Sequence, residues 1–270
     1  MFLSLYPACI DEINSVRKVM LRNSDLTFEG NATYVKLTIE PDACDMMGTW
    51  RPDSTLTAMQ SATHYGRENL GIGCADLLEK GKLWVVSRVN ITLKRIPRLG
   101  EELTVQAFAL PAVKLLFPWK FLFVDKTGET IGEGSSVWNL MDASSRRVSY
   151  VPGIAEKIPA QAGLCRTELP KAAAELLSPP KKNALRPVYT DLDINGHVNH
   201  VHYMDWCCNA MGISVLQHYA VDSFCISFMQ EIRPDAMVDT ELRIEDKSFS
   251  FSGYNAESPA FILNGTLMKR

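Results

Sequence analysis

The chain has 270 residues, 46% of them hydrophobic and 22% charged, enough for one large core or two cores of ordinary domain size. A formal net charge of -3, with no block of five like charges, excludes long-range attraction of nucleic acid as an organising feature. Seven cysteines form an odd set with no CxxC pair and no histidine at metal-ligand spacing, so neither a disulfide framework nor a zinc site is expected.

The first segment, MFLSLYPACIDEIN, is apolar for only a few residues before Asp11 and Glu12, which fits neither a signal peptide nor an acid-poor transit peptide. No apolar run approaches the roughly 20 residues of a spanning helix. A cytoplasmic protein, with no membrane or nucleic-acid partner, is the expectation. From Ala32, TYVKLTIE alternates as a half-buried strand does. STLTAMQSATHYGRENLG then predicts a helix, with Ser54 as cap, Leu56, Met59 and Ala62 at helical spacing, and Gly71 as stop. LWVVSRVNITLKRI, ELTVQAFAL, KLLFPWKFLFVD and ETIGEGSSVWNLMD follow as β-rich segments between turn residues, predicting an antiparallel meander. One helix against such a sheet makes an α+β layer, assigned here to residues 30–151.

Residues 152–182 carry Pro159, Pro170, Pro179 and Pro180 and an alanine cluster without period-2 alternation, so they are expected to connect two domains. The same order then returns over 183–270: a short strand at RPVYT, a helix across VNHVHYMDWCCNAMG, and strands near SFCISFMQEI, TELRIEDKSFSF and PAFILNGTLMK. A local match supports duplication, because Asp45-Met46-Met47-Gly48-Thr49-Trp50 precedes the first helix as Asp193-Ile194-Asn195-Gly196-His197-Val198 precedes the second. Met47 and Thr49 stand where the second copy has Asn195 and His197, so only the second copy can move a proton near neutral pH.

The densest polar cluster is YTDLDINGHVNHVHY. An ordinary capped turn would use Asp and Asn in the same way, and His200 and His202 fit surface or packing roles. His197, by contrast, is placed at the start of the helix, where unpaired N–H groups and the helix dipole would favour a developing oxyanion.

The run DLDINGHVNHVHYMDW resembles the DLDxNxHVNNxxYxxW signature of the acyl-ACP thioesterase family of plants and bacteria, and ISFMQEIRPD lies where that family has a strand with a functional glutamate. WVVSRVNITLKRIPRLGEEL resembles the family's Trp-containing strand and YPRxGDE-like turn, and DKTGETIGEGSSVWNLMDASSRRV its SxWxLxDxxxRR strand. The resemblance implies a double hot-dog fold: two tandem copies of a long helix wrapped by an antiparallel β-sheet, the acyl chain bound in the N-terminal half and hydrolysis in the C-terminal half. Carried over by position, the functional set is Asp193, Asn195, His197 and Glu231. No cofactor or metal is implied. The implied partner is acyl carrier protein bearing a fatty acyl chain, with a homodimer as the candidate assembly.

Glu231 is expected as general base for water, His197 and Asn195 as the groups that position water and carbonyl, and Asp193 as their orienting partner. A His197 base oriented by Glu231 stays open. The family's older thiol proposal needs a cysteine after the glutamate, and this sequence has Ile232 there; the signature's second Asn is replaced by His200. Two other readings are distinguishable by assay. A hot-dog dehydratase or hydratase would act on a 3-hydroxyacyl or 2-enoyl thioester without releasing thiol, and a non-catalytic acyl-binding protein would release none from any chain.

Overall fold

The computed structural model describes residues 25–158 and 171–270. Strands β1 (Leu26–Glu29) and β2 (Ala32–Thr38) lead into helix α1 (Pro52–Asn69) and the short α2 (Cys74–Glu79). Strands β3 (Lys82–Leu93), β4 (Glu102–Ala109), β5 (Phe117–Asp125) and β6 (Thr130–Asp142) complete the first half. The second half holds β7 (Lys181–Leu185), α3 (His202–Met211), the single turn α4 (Ile213–Leu216), and β8 (Tyr219–Phe228), β9 (Val238–Glu245), β10 (Ser248–Asn255) and β11 (Ser258–Lys269).

All the strands form one antiparallel sheet in the order β1-β2-β4-β5-β6-β3-β8-β11-β10-β9-β7. Within the first half the order is β2-β4-β5-β6-β3, and within the second it is β7-β9-β10-β11-β8. In chain order, both halves place their strands 1-3-4-5-2, with the long helix between strands 1 and 2. The architecture is therefore the α+β double hot-dog, and the duplication visible in one short motif extends to the whole topology. The halves join where β3 pairs with β8, from Arg88 opposite Ser227 to Thr92 opposite Ser223.

Alternation builds the core. Leu103, Val105 and Ala107 of β4, and Phe117, Trp119, Phe121 and Phe123 of β5, are buried at every second position and wall the side of the sheet toward α1. Leu56, Met59, Ala62, Thr63 and Gly66 of α1 recur at helical spacing and are buried. Gly66 permits the close approach: a Cβ there would lie 2.5 Å from the Trp119 ring. In the second half α3 buries Tyr203, Met204, Trp206 and Cys207, with Tyr203 edge-on to Phe261 at 4.7 Å between centroids.

Several boundaries differ from the sequence expectation. The first helix begins at Pro52, not at a Ser54 cap, because proline presets the first helical φ and lacks the N–H that a cap would satisfy. RPVYT is not a strand; Tyr189–Asp191, at its end, forms a 3-10 turn, and β7 instead spans Lys181–Leu185, beginning in the last two residues of the expected connection. Of that connection, residues 159–170, with Pro159 and Pro170, lie outside the described residues. The second helix starts at His202 rather than near Val198, and β8 ends at Phe228. β3 does not continue a meander into β4; it lies beyond β6, at the junction of the halves.

Candidate active site

The loop before α3 is organised by Asp193. Its backbone N–H donates to the His197 carbonyl at 3.0 Å, its carbonyl accepts from Gly196 N–H at 3.0 Å, and its Oδ1 accepts from Asn195 N–H at 2.8 Å. Gly196 turns the chain at φ +74°, a conformation glycine adopts without strain. The first copy repeats the turn bond for bond. Asp45 N–H donates to Thr49 O at 2.9 Å, Gly48 N–H to Asp45 O at 3.0 Å, and Met47 N–H to Asp45 Oδ1 at 2.9 Å, with Gly48 at φ +70°.

A second equivalence follows from the anchoring of each loop. Val198 N–H donates to Ile232 O and Trp50 N–H to Pro97 O, both at 2.9 Å, so Ile96 occupies in the first copy the place of Glu231 in the second. Asn195, His197 and Glu231 of the second copy therefore stand where the first has Met47, Thr49 and Ile96. The first loop is closed instead by Arg270, whose Nη1 donates to Thr49 Oγ1 at 2.6 Å and whose Nη2 pairs with Asp45. Although burial opposes it, hydrogen bonds from Thr49, Arg270 and Met47 hold the Asp45 carboxyl below its usual range.

Glu231 leaves the loop after β8, not the end of a strand. Its neighbours Met229 and Gln230 both donate N–H to Ala260 O. Its Oε1 lies 3.8 Å from His197 Nε2, and Asp193 Oδ1 lies 3.7 Å from His197 Nδ1. The His197 Nδ1 also meets the Val198 carbonyl at 3.2 Å. With the proton on Nδ1, Nε2 presents a lone pair on the Glu231 side, and that nitrogen is enclosed without a hydrogen-bond partner. Asn195 Nδ2 reaches Asp193 Oδ2 at 3.4 Å. All four residues line one cavity of about 880 Å³, bounded by α1, β3, β6 and this loop.

Arg146, absent from the sequence-based set, completes the group. Its Nη1 lies 3.2 Å from Glu231 Oε1 and its Nη2 donates to the Asn195 carbonyl at 3.3 Å. It comes from the first half, in the turn after β6, and holds φ +54°, a position where a non-glycine residue is strained. Asp142 fixes that turn. Its carboxyl is held well below the usual range, chiefly by the Ser144 hydroxyl, then by Ser145 N–H and Lys82. The only sequence signal for Arg146 was the paired arginine after the strand.

The remaining polar residues of the cluster are structural. Asp191 accepts from Val188 N–H and Trp206 Nε1, Asn199 Oδ1 accepts from Val201 N–H, and His202 pairs with Asp205. His197 does not sit at the helix start, so the dipole argument made for it from sequence does not apply; α3 begins at His202. His200 also lines the cavity, half-buried between the rings of Trp138 and Phe228, and burial lowers it to about 3. Burial pushes the Cys207 thiol well up, Cys208 to about 12 and Cys225 to about 11, which disfavours all three as nucleophiles.

A helix wrapped by an antiparallel sheet, repeated in tandem with Asn, His and Glu at one copy of the loop site and Met, Thr and Ile at the other, defines a double hot-dog protein with one candidate site among the described residues. Residues 30–157 match the family model of the acyl-ACP thioesterase N-terminal domain, and residues 175–257 that of the acyl-ACP thioesterase C-terminal domain. The chain belongs to the acyl-ACP thioesterase family. It is 28% identical over 185 residues to the chloroplastic dodecanoyl-[acyl-carrier-protein] hydrolase of Cinnamomum camphora, covering 63% of this chain and 48% of that one. It is 24% identical over 228 residues to the chloroplastic palmitoyl-acyl carrier protein thioesterase of Arabidopsis thaliana, covering 80% and 54%. The chain thus spans about half the length of the curated relatives it matches. Two solved structures share its fold. The 12:0-ACP thioesterase of Umbellularia californica superposes with a TM-score of 0.80 at 20% identity, covering 90% of this chain and 100% of that one. An acyl-ACP thioesterase from Bacteroides thetaiotaomicron gives 0.78 at 21%, covering 88% and 98%.

Proposed function

We propose that this chain hydrolyses the thioester of fatty acyl groups carried on acyl carrier protein, releasing free fatty acid and the carrier thiol in fatty acid biosynthesis. The observation that carries the reading is the convergence of Asp193, Asn195, His197 and Glu231 on one deep cavity, in a family of acyl-ACP thioesterases. Glu231 takes a proton from water as its oxygen attacks the thioester carbon, the Asn195 amide donates to the carbonyl oxygen as it becomes an oxyanion, and His197 positions the water. Collapse of the tetrahedral intermediate breaks the carbon–sulfur bond, and the proton held by Glu231 passes to the leaving sulfur. Asp193 orients Asn195 and the His197 ring. Arg146 acts as a positioning residue, tying Glu231 to the Asn195 loop.

The first half supplies the cavity wall through α1, β3 and β6, which supports a role in holding the acyl chain. Its own loop, with Met47, Thr49 and Ile96, is the degenerate one. Among the described residues no helix is long and apolar enough to cross a membrane.

The deciding experiment measures thiol release from acyl carriers and matched acyl-CoAs by wild type and Glu231→Gln. The variant keeps the size of the side chain and loses the proton acceptor, so turnover should fall about 100- to 10000-fold while substrate binding survives. Unchanged turnover in Glu231→Gln would move the base to His197. Hydration of an enoyl thioester without thiol release would replace the hydrolase reading with the hydratase one.

A further inference from the structure

The wall that α1 gives to the cavity is polar. Gln60, His64 and Arg67 all line it, and their i, i+4, i+7 spacing puts them on one stripe of the helix. The neighbouring stripe, Leu56, Met59 and Thr63, is buried, so these polar groups occupy the cavity side rather than the core side. The lining from β3 and β6 is mixed, with Leu83, Trp84, Val86 and Trp138 beside Lys82, Ser87 and Asn139.

Arg67 is the unusual member. It is 3% exposed, and its guanidinium carbon sits 4.3 Å from the Trp84 ring centroid and 4.0 Å from that of Trp138. Indole faces stabilise a cation but do not replace in-plane acceptors for its N–H bonds. Nε and Nη2 have no hydrogen-bond partner. Burial lowers its pKa to about 10, opposed by the Cys74 thiol rather than by a carboxylate, so the side chain stays charged at neutral pH. A buried cation that keeps a thiol as partner but leaves two of its nitrogens unpaired is a costly feature for a core to hold. A saturated alkyl chain in the cavity would leave that deficit in place, whereas a chain bearing oxygen would remove it.

We infer that this cavity is built for an acyl group carrying an oxygen acceptor along its chain, a hydroxyl, keto or carboxylate oxygen, that docks on Arg67 with Gln60 and His64 beside it. The inference names the substrate class of the thioesterase site proposed above and rests on that reading.

The test compares kcat/KM for thiol release across carriers of matched chain length: saturated, hydroxylated, keto-substituted and terminally carboxylated. At least one oxygenated chain should exceed its saturated counterpart by about 10- to 100-fold, the value of a charge-assisted hydrogen bond. Arg67→Met should collapse the ratio, the oxygenated rate falling further than the saturated one, and Gln60→Leu, at a half-buried position that folding tolerates more readily, should reduce it. Saturated chains turned over as well as every oxygenated one, or variants that keep the ratio, would overturn the inference. Failure of every carrier to release thiol would sink the hydrolase reading instead. The docking is then read directly, by tryptophan fluorescence on titration with a free hydroxy or dicarboxylic acid and with its saturated counterpart. Selective quenching or shift by the oxygenated acid, lost in Gln60→Leu, supports it, and equal responses to both overturn it.

Discussion

At the scale of single residues, the candidate site divides into groups that react and groups that hold them. His197→Ala and Asn195→Ala should each lower kcat about 100- to 1000-fold without loss of folding, the usual effect of removing one group aimed at the transition state. Near-normal turnover in either variant would take that residue out of the mechanism. Arg146→Met should lower kcat more than it changes KM, and Arg146→Lys should restore part of the loss through its charge, since the guanidinium bridges Glu231 and the Asn195 carbonyl. Equal rates for wild type, Met and Lys would leave Arg146 a surface residue. Cys225→Ser should keep most activity, in line with a thiol that burial pushes up to about 11. His200 carries a pH prediction. Its value of about 3 in the fold lies below the ordinary 6.5, so the unfolded chain binds the proton more readily. Its contribution is complete above about 6.5 and is lost as pH falls toward 3, at roughly 1.4 kcal/mol per pH unit. Melting curves of wild type and His200→Asn between pH 7 and pH 5 should converge as the pH falls or show a flatter slope for the variant; parallel slopes would put the titration elsewhere. The Asp193, Asn195 and His197 cluster was legible because chain neighbours carry it. Arg146, Ile96 and Arg67 were not, because their meaning depends on what the fold sets against them.

At the scale of elements, periodicity located the long helices and most strands, and packing decided their ends. KKNAL shows no alternation because β7 is an edge strand with its side chains exposed, so nothing in its composition separated it from a connection. The polar sequence after Phe228 read as more strand, yet the chain bends there as Met229 and Gln230 both turn their N–H groups to Ala260 O. That bend carries Glu231 off the sheet toward His197. Gly66 is the element-scale prediction. Gly66→Ala would gain helix propensity on an isolated helix, but here its Cβ meets the Trp119 ring, and the clash should win by about 1 to 3 kcal/mol. Urea denaturation is the measurement, and a stabilised variant would mean that α1 rides higher on the sheet.

At the scale of the whole molecule, the two halves exchange arginines. Arg146, after the last strand of the first half, reaches the second loop, and Arg270, after the last strand of the second half, reaches the first. The crossing follows from the near-twofold relation of the halves and was invisible in a motif-by-motif reading. Removing the Arg270 side chain should therefore loosen the degenerate loop and lower the melting temperature while leaving turnover of the folded enzyme close to wild type; a large loss of kcat at full folding would show that the first loop still takes part in chemistry.

The pairing of β3 with β8 also has a history in time. On the ribosome β3 emerges with its outer edge bare, and the strand that covers it is not made until the chain has grown from Thr92 to beyond Ser223. At roughly 5 to 20 residues per second that interval is on the order of ten seconds. Throughout it the first half presents an open row of backbone donors and acceptors beside a nearly finished aromatic core, the state in which nascent sheets recruit strangers. Synthesis rate, rather than final stability, should then govern the soluble yield of this chain, and slowing translation without raising chaperone supply should lower it.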